Sequence, residues 1–127
     1  MSEVVLDASA VLALLKQETG SEQVATYIPQ AAISSVNYSE VVAKLADAGV
    51  PELTVQKILG NLNLEVIAFD LEQAIKAGML RPLTKIIGLS FGDRACLGLG
   101  LFLSQPVITA DRQWQNLNLG INIQVIR

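Results

Sequence analysis

Short runs of β-branched and aliphatic residues alternate along this chain with longer segments whose apolar positions recur at helical spacing. The runs predict strands over Val4 to Leu6, Ala32 to Ser34, Leu64 to Ala68, Val107 to Thr109 and Ile121 to Ile126. The intervening segments predict helices over Ala8 to Lys16, Ser21 to Ile28, Ser35 to Ala48, Glu52 to Asn61, Asp70 to Leu80 and Ser90 to Leu103, with a short one after Asp111. Gly49, Val50 and Pro51 mark a helix-to-helix turn, and Gln105 with Pro106 divides the last long helix from a strand. Such alternation predicts an α/β domain on a mainly parallel sheet. The first, third and fourth strands are nearly all apolar, as expected where helices cover both faces. With no repeat and no low-complexity linker, residues 1–127 read as one folding unit.

Composition narrows the chemistry. The 127 residues are 51% hydrophobic and 17% charged, enough to fill a core without disulfides or a structural metal. Histidine is absent and cysteine occurs once, which rules out His acid/base catalysis, Ser/His/Asp and Cys/His nucleophile systems, and Cys/His zinc sites. Chemistry must run on carboxylates, hydroxyls, amines or a bound metal. The lone Cys96 has no internal disulfide partner and, within Ala-Cys-Leu of a predicted helix, is expected in the core. No basic segment precedes the first apolar run, so a reducing, cytoplasmic setting is expected. The longest apolar stretch, Ala95 to Leu103, falls well short of the ~20 residues that span a bilayer, so no membrane partner is expected.

Four of the 12 acidic residues interrupt or end hydrophobic segments: Asp7 after Val-Val-Leu, Glu40 before Val-Val, Asp93 in Phe-Gly-Asp-Arg-Ala-Cys and Asp111 after Val-Ile-Thr-Ala. Asp7 and Asp111 lie at or just beyond the carboxyl ends of predicted strands, where open parallel sheets place their ligands. Carboxylates gathered there repel one another unless protons or cations neutralise them, and oxygen donors suit Mg²⁺ or Mn²⁺. The competing reading is helix capping. Ser90 and Asp93 match a capping box, and Asn37 with Glu40 resembles a looser one. Asp70 also follows a strand but begins an ordinary amphipathic helix, and it reads as a cap. Taken singly, the local pattern does not separate cap from ligand for any of the four.

In combination they do more. Asp7-Ala-Ser9 after an N-terminal strand, Glu40 in the helix after the second strand, Gly-Asp93-Arg-Ala-Cys, and Thr109-Ala-Asp111-Arg-Gln-Trp114 resemble the PIN-domain family over essentially the whole chain, and within it the single-domain toxins of VapC type. The Gly-Asp-Arg-Ala-Cys segment is the most distinctive of these motifs. The resemblance implies a PIN-like α/β fold with a five-stranded, mainly parallel sheet flanked by helices. It also implies a Mg²⁺-dependent ribonuclease site, with Mn²⁺ as substitute, formed by Asp7, Glu40, Asp93 and Asp111. One or two divalent cations supply water activation, a clamp on the phosphoryl oxygens and stabilisation of the leaving oxygen, so such an enzyme needs no histidine. The implied role is an endoribonuclease toxin of a type II toxin–antitoxin pair, with RNA as substrate, a VapB-like antitoxin as partner and a homodimer as assembly.

Ser9 and Thr109, each two residues from a candidate ligand, are candidates to orient a carboxylate from behind, with turn or cap roles equally open. Arg94 and Arg112 directly follow candidate ligands and are candidate phosphate contacts, against structural ion pairs or solvated helix positions. Lys44, four residues after Glu40, reads as an exposed i,i+4 pair. Tyr38 and Trp114 read as buried aromatics before base-stacking ones. The glycines after Cys96 offer homodimer contacts, with burial against the sheet the simpler use.

A net charge of −3 and a pI near 4.8 argue against a generic nucleic-acid binder; setting the four candidate ligands aside leaves +1. Three other readings compete: a housekeeping PIN nuclease of RNA processing, a phosphatase-like or receiver-like α/β domain, and a silent binding module whose acids are caps. Against the second, the position two after Asp7 is Ser9 where such a phosphatase needs a second Asp, and no adjacent acidic pair follows the first strand as in a receiver.

Overall fold

The computed structural model describes residues 1–127. Five strands, β1 (Val4–Leu6), β2 (Ala31–Ser34), β3 (Glu65–Ile67), β4 (Val107–Thr109) and β5 (Ile123–Val125), form one sheet in the order β3-β2-β1-β4-β5. Every pairing is parallel, with Val4 opposite Ala31 and Val5 opposite Val107 in the central register. The helices are α1 (Ala8–Leu15), α2 (Ser21–Tyr27), α3 (Ser35–Asp47), α4 (Glu52–Gly60), α5 (Leu71–Met79), α6 (Arg81–Thr84) and α7 (Phe91–Leu103), with 3-10 turns at Ile28–Gln30 and Arg112–Asn116.

Alternation along the strands divides the core in two. Val4 and Leu6 point to one face, where they pack with Val11, Val24, Ile33, Val41 and Leu59 from the first half of the chain. Val5 points to the other, joining Leu97, Leu99, Val107, Cys96 and Trp114. Cys96 and Trp114 are fully buried, and Tyr38 packs against the first face, as the sequence suggests.

α7 lies close against its neighbours because its glycines allow it. A β-carbon on Gly100 would stand 2.5 Å from Val107 Cγ2, and one on Gly98 would crowd the Ala77 backbone at 3.3 Å. These glycines are buried inside the chain, the simpler of the two uses the sequence leaves open. The exposed apolar row lies instead on α5, at Leu71, Ile75 and Met79, one helical turn apart.

Two expectations are corrected, and one element is new. β3 is not covered on both faces: as an edge strand it leaves Glu65 and Val66 exposed. The sequence predicts no element at the short α6, where Pro82 occupies the start of the helix and its missing N–H costs nothing. The cap of α3 is Ser34, whose hydroxyl accepts from Val36 N at 3.2 Å, and Asn37 is no cap.

Candidate active site

Two strand ends and the N-terminal turns of two helices bring four carboxylates together. Asp7 directly follows β1, Asp111 lies two residues past β4, Glu40 rides the second turn of α3 after β2, and Asp93 sits in the first turn of α7. With Ala8, Ser9, Leu12, Asn37 and Lys44 they line a cleft of about 220 Å³. The four residues singled out in the sequence are thus brought to one cleft from four separate elements.

Asp7 is the innermost, 4% exposed. Its Oδ1 accepts from Ala10 N at 2.9 Å, capping α1, and from Ser9 Oγ at 2.7 Å. Its Oδ2 accepts from Thr109 Oγ1 at 2.6 Å and Ser9 Oγ at 2.9 Å. Ser9 Oγ and Thr109 Oγ1 in turn accept from the backbone N–H groups of Ala110 and Asp111, at 2.9 and 3.0 Å. The two hydroxyls therefore hold Asp7 in place and stitch the start of α1 to the end of β4. Burial pushes the Asp7 carboxyl up from 3.8 to about 6; the hydrogen bonds from Thr109, Ala10 and Ser9 oppose the rise, and the Asp93 charge adds to it.

Glu40 is fixed differently. Asn37 Nδ2 donates to Glu40 Oε1 at 2.8 Å and to the Gly92 carbonyl at 2.9 Å, joining α3 to the first turn of α7. Asn37 is 1% exposed, and its Oδ1 is buried without a partner. Asp93 completes a capping box with Ser90: Oδ2 accepts from Ser90 N at 2.9 Å and Ser90 Oγ accepts from Asp93 N at 3.1 Å. Asp111 Oδ1 accepts from Gln113 N at 2.9 Å, capping the 3-10 turn. Asp70 caps α5 through Gln73 N at 3.0 Å, as its sequence context suggests, and does not line the cleft.

The arginines part company. Arg94 Nη1 donates to the Ala77 carbonyl at 3.2 Å and its guanidinium lies 6.0 Å from the centre of the Phe91 ring, so it binds α7 to α5 and does not line the cleft. Arg112 is exposed beside Asp111. Lys44 makes no ion pair with Glu40; it lines the cleft instead. Asn37, Gly92 and Lys44 are the site residues that sequence reasoning undervalued. The signal for Asn37 was its i,i+3 spacing to Glu40, read there as a cap.

Cys96 lies beneath the cluster. Burial, and then the charges of Asp7, Asp93 and Glu40, push its thiol well above its ordinary value, which leaves it inert as a nucleophile.

The donor set fits a hard divalent cation, being all oxygen, with one member buried at the cost of a raised pKa. No three of the carboxylates close on one point tightly enough to enclose an ion unaided. Three hold helix starts and Glu40 is held by Asn37. Mg²⁺ is commonly bound through one or two carboxylates, with water and substrate phosphate completing its shell, and it does not require a closed cage.

An all-parallel α/β domain with oxygen donors gathered at the carboxyl edge of its sheet defines the class. Within it, the PIN domain family matches residues 4–118, and the chain belongs to the PIN domain family. No curated protein sequence matches this chain. Solved structures share the fold. The DNA-bound VapBC of Salmonella typhimurium is 21% identical, covers 100% of both chains and superposes with a TM-score of 0.77. VapBC2 of Rickettsia felis, bound to a promoter DNA fragment, is 17% identical over 98% of each chain, with a TM-score of 0.74. FitAcB of Neisseria gonorrhoeae is 15% identical over 95% of this chain and 96% of that one, with a TM-score of 0.68. No helix here is long and apolar enough to cross a membrane.

Proposed function

We propose that this chain is a Mg²⁺-dependent endoribonuclease, with Mn²⁺ as substitute, acting in the cytoplasm as the toxin of a type II toxin–antitoxin pair with a VapB-like antitoxin. The observation that carries the reading is the arrival of Asp7, Glu40, Asp93 and Asp111 from four elements at one cleft of a PIN domain. The similarity to chains from VapBC and FitAcB complexes supports the toxin role.

Asp7, Glu40, Asp93 and Asp111 would hold the cation, which when bound supplies charge for activating water and stabilising the phosphoryl oxygens. The chain's own residues do the rest. Ser9 and Thr109 donate to Asp7 and fix the direction of its oxygens, and Asn37 does the same for Glu40. The capping box occupies one oxygen of Asp93 from behind. Self-association into a homodimer has the exposed row on α5 as its candidate surface.

One observation favours the reading as a silent module: Asp7, Asp93 and Asp111 do cap helices. Glu40 caps nothing, however, and burying Asp7 ionised is a costly way to start a helix.

The test is cleavage of RNA containing single-stranded loops by purified chain free of any partner. Cleavage abolished by EDTA, and reduced by orders of magnitude in Asp7→Asn, supports the nuclease. Equal rates for wild type and Asp7→Asn refute it. For the toxin role, expression should arrest growth, with rescue by Asp93→Asn or by co-expression of a cognate antitoxin; if wild type and Asp93→Asn are equally harmless at matched levels, a housekeeping role in RNA processing replaces it.

A further inference from the structure

The acidic cleft continues beyond Asp111. Ser9 and Asp111 also line a second depression together with Ala110, Arg112 and Arg127. At the other end Lys44 stands one helical turn beyond Glu40. Sheet order fixes which residue lies on which side. Glu40 and Lys44 follow β2, Asp7 and Ser9 follow the central β1, and Asp111 and Arg112 follow β4. Lys44 thus lines the first depression on the β2 side and Arg112 the second on the β4 side, with Ser9 and Asp111 shared between them.

These two cations are also free. A Glu and a Lys four apart on a helix ordinarily pair. Here the Glu40 carboxylate is turned to Asn37 and nested against Gly92, so Lys44 is left exposed with no carboxylate within ion-pair distance. Arg112 is exposed and equally unpaired. The other nearby arginines are engaged: Arg127 with Glu18 at 2.6 Å, and Arg94 with the Ala77 carbonyl. In a chain of net charge −3, two free cations bracketing the acidic cleft mark where a polyanion gains attraction without neutralising the carboxylates.

Resting on the ribonuclease reading above, we propose that single-stranded RNA crosses the carboxyl edge of the sheet from Lys44 to Arg112. The phosphate between them lies at the carboxylates, and Lys44 and Arg112 bind the backbone phosphates on either side. Both would contact the substrate backbone directly, and neither forms an ion pair with the four carboxylates.

The test measures binding of a fluorescein-labelled single-stranded RNA by anisotropy over a salt series, at constant Mg²⁺, in an Asp93→Asn background that does not cleave. Lys44→Ala and Arg112→Ala should each weaken binding several-fold at low salt and flatten the log–log salt slope by about 0.7, the value of one phosphate contact on a single strand. The double variant should lose about twice that slope. Lys44→Arg and Arg112→Lys should keep the slope, and Lys76→Ala, on α5 away from the cleft, should leave it unchanged. A parent that binds RNA with the same slope as both alanine variants overturns the path and spares the ribonuclease reading. A parent that binds no RNA at any salt overturns both.

Discussion

The carboxylate of Glu40 occupies the space that a β-carbon on residue 92 would need. Built on Gly92, such a carbon would lie 2.6 Å from both Oε1 and Cδ of Glu40. Glycine at the second position of α7 is therefore what lets α3 lay its carboxylate against the start of α7, next to Asp93.

Gly92→Ala should separate site from fold. Alanine's higher helix propensity offsets the Asn37–Glu40 hydrogen bond that is lost when the exposed Glu40 side chain swings aside. The melting temperature should hold or rise, while Mn²⁺ affinity by titration calorimetry falls about 10-fold as Glu40 leaves its position. Unchanged Mn²⁺ affinity would show that the nesting of Glu40 has no bearing on the cation.

Asn37→Ala removes both donors of a buried amide, leaving the Gly92 carbonyl without its Asn37 donor and Glu40 without its tether. Urea denaturation should show a loss of about 1–3 kcal/mol. Mn²⁺ affinity should fall as in Gly92→Ala, but here with a stability loss that Gly92→Ala does not show.

The raised Asp7 carboxyl sets a pH signature. Its folded value of about 6 exceeds the ordinary 3.8, so between them the folded state binds the proton that the unfolded state has released. Stability from this group is complete below about pH 4, declines as pH rises, and is lost above about pH 6, a total of about 3 kcal/mol. Denaturation in chelator across this window should show the decline in wild type relative to Asp7→Asn, in which it should vanish. Mg²⁺ or Mn²⁺ should offset it, because binding favours the ionised form. Parallel pH profiles for the two proteins would contradict the burial cost assigned to Asp7.

Capping and ligation separate at Asp70 and Asp93, both of which cap helices. Asp70→Ala should cost about 1 kcal/mol of stability and leave the Mn²⁺-induced rise in melting temperature intact. Asp93→Asn should lose much of that rise. If both lose it equally, the loss reflects helix fraying and Asp93 is only a cap.

Most element positions were legible because they rest on local signals. The apolar triplets Val4–Leu6 and Val107–Thr109 match the strands to the residue, and Asp70 caps as its context suggests. β3 misled because an apolar run does not reveal whether its strand lies at the centre or the edge of a sheet. Arg94 stood next to Asp93 in sequence, yet adjacent helical residues face different ways, and it turned to α5.

The sequence by itself determined the strand–helix alternation, the absence of histidine chemistry and the four carboxylates stranded among apolar residues, since each depends on residue identity and short-range spacing alone. Tertiary structure alone decided that Asn37 holds Glu40 against Gly92, that Ser9 and Thr109 converge on Asp7 from 100 residues apart, and that Lys44 and Arg112 line adjoining depressions that share Ser9 and Asp111. These relations follow from the order β3-β2-β1-β4-β5, which places the end of the first strand between those of the second and fourth. Strand order is set by the long-range pairing that buries both faces of the sheet, and no window of local sequence carries it.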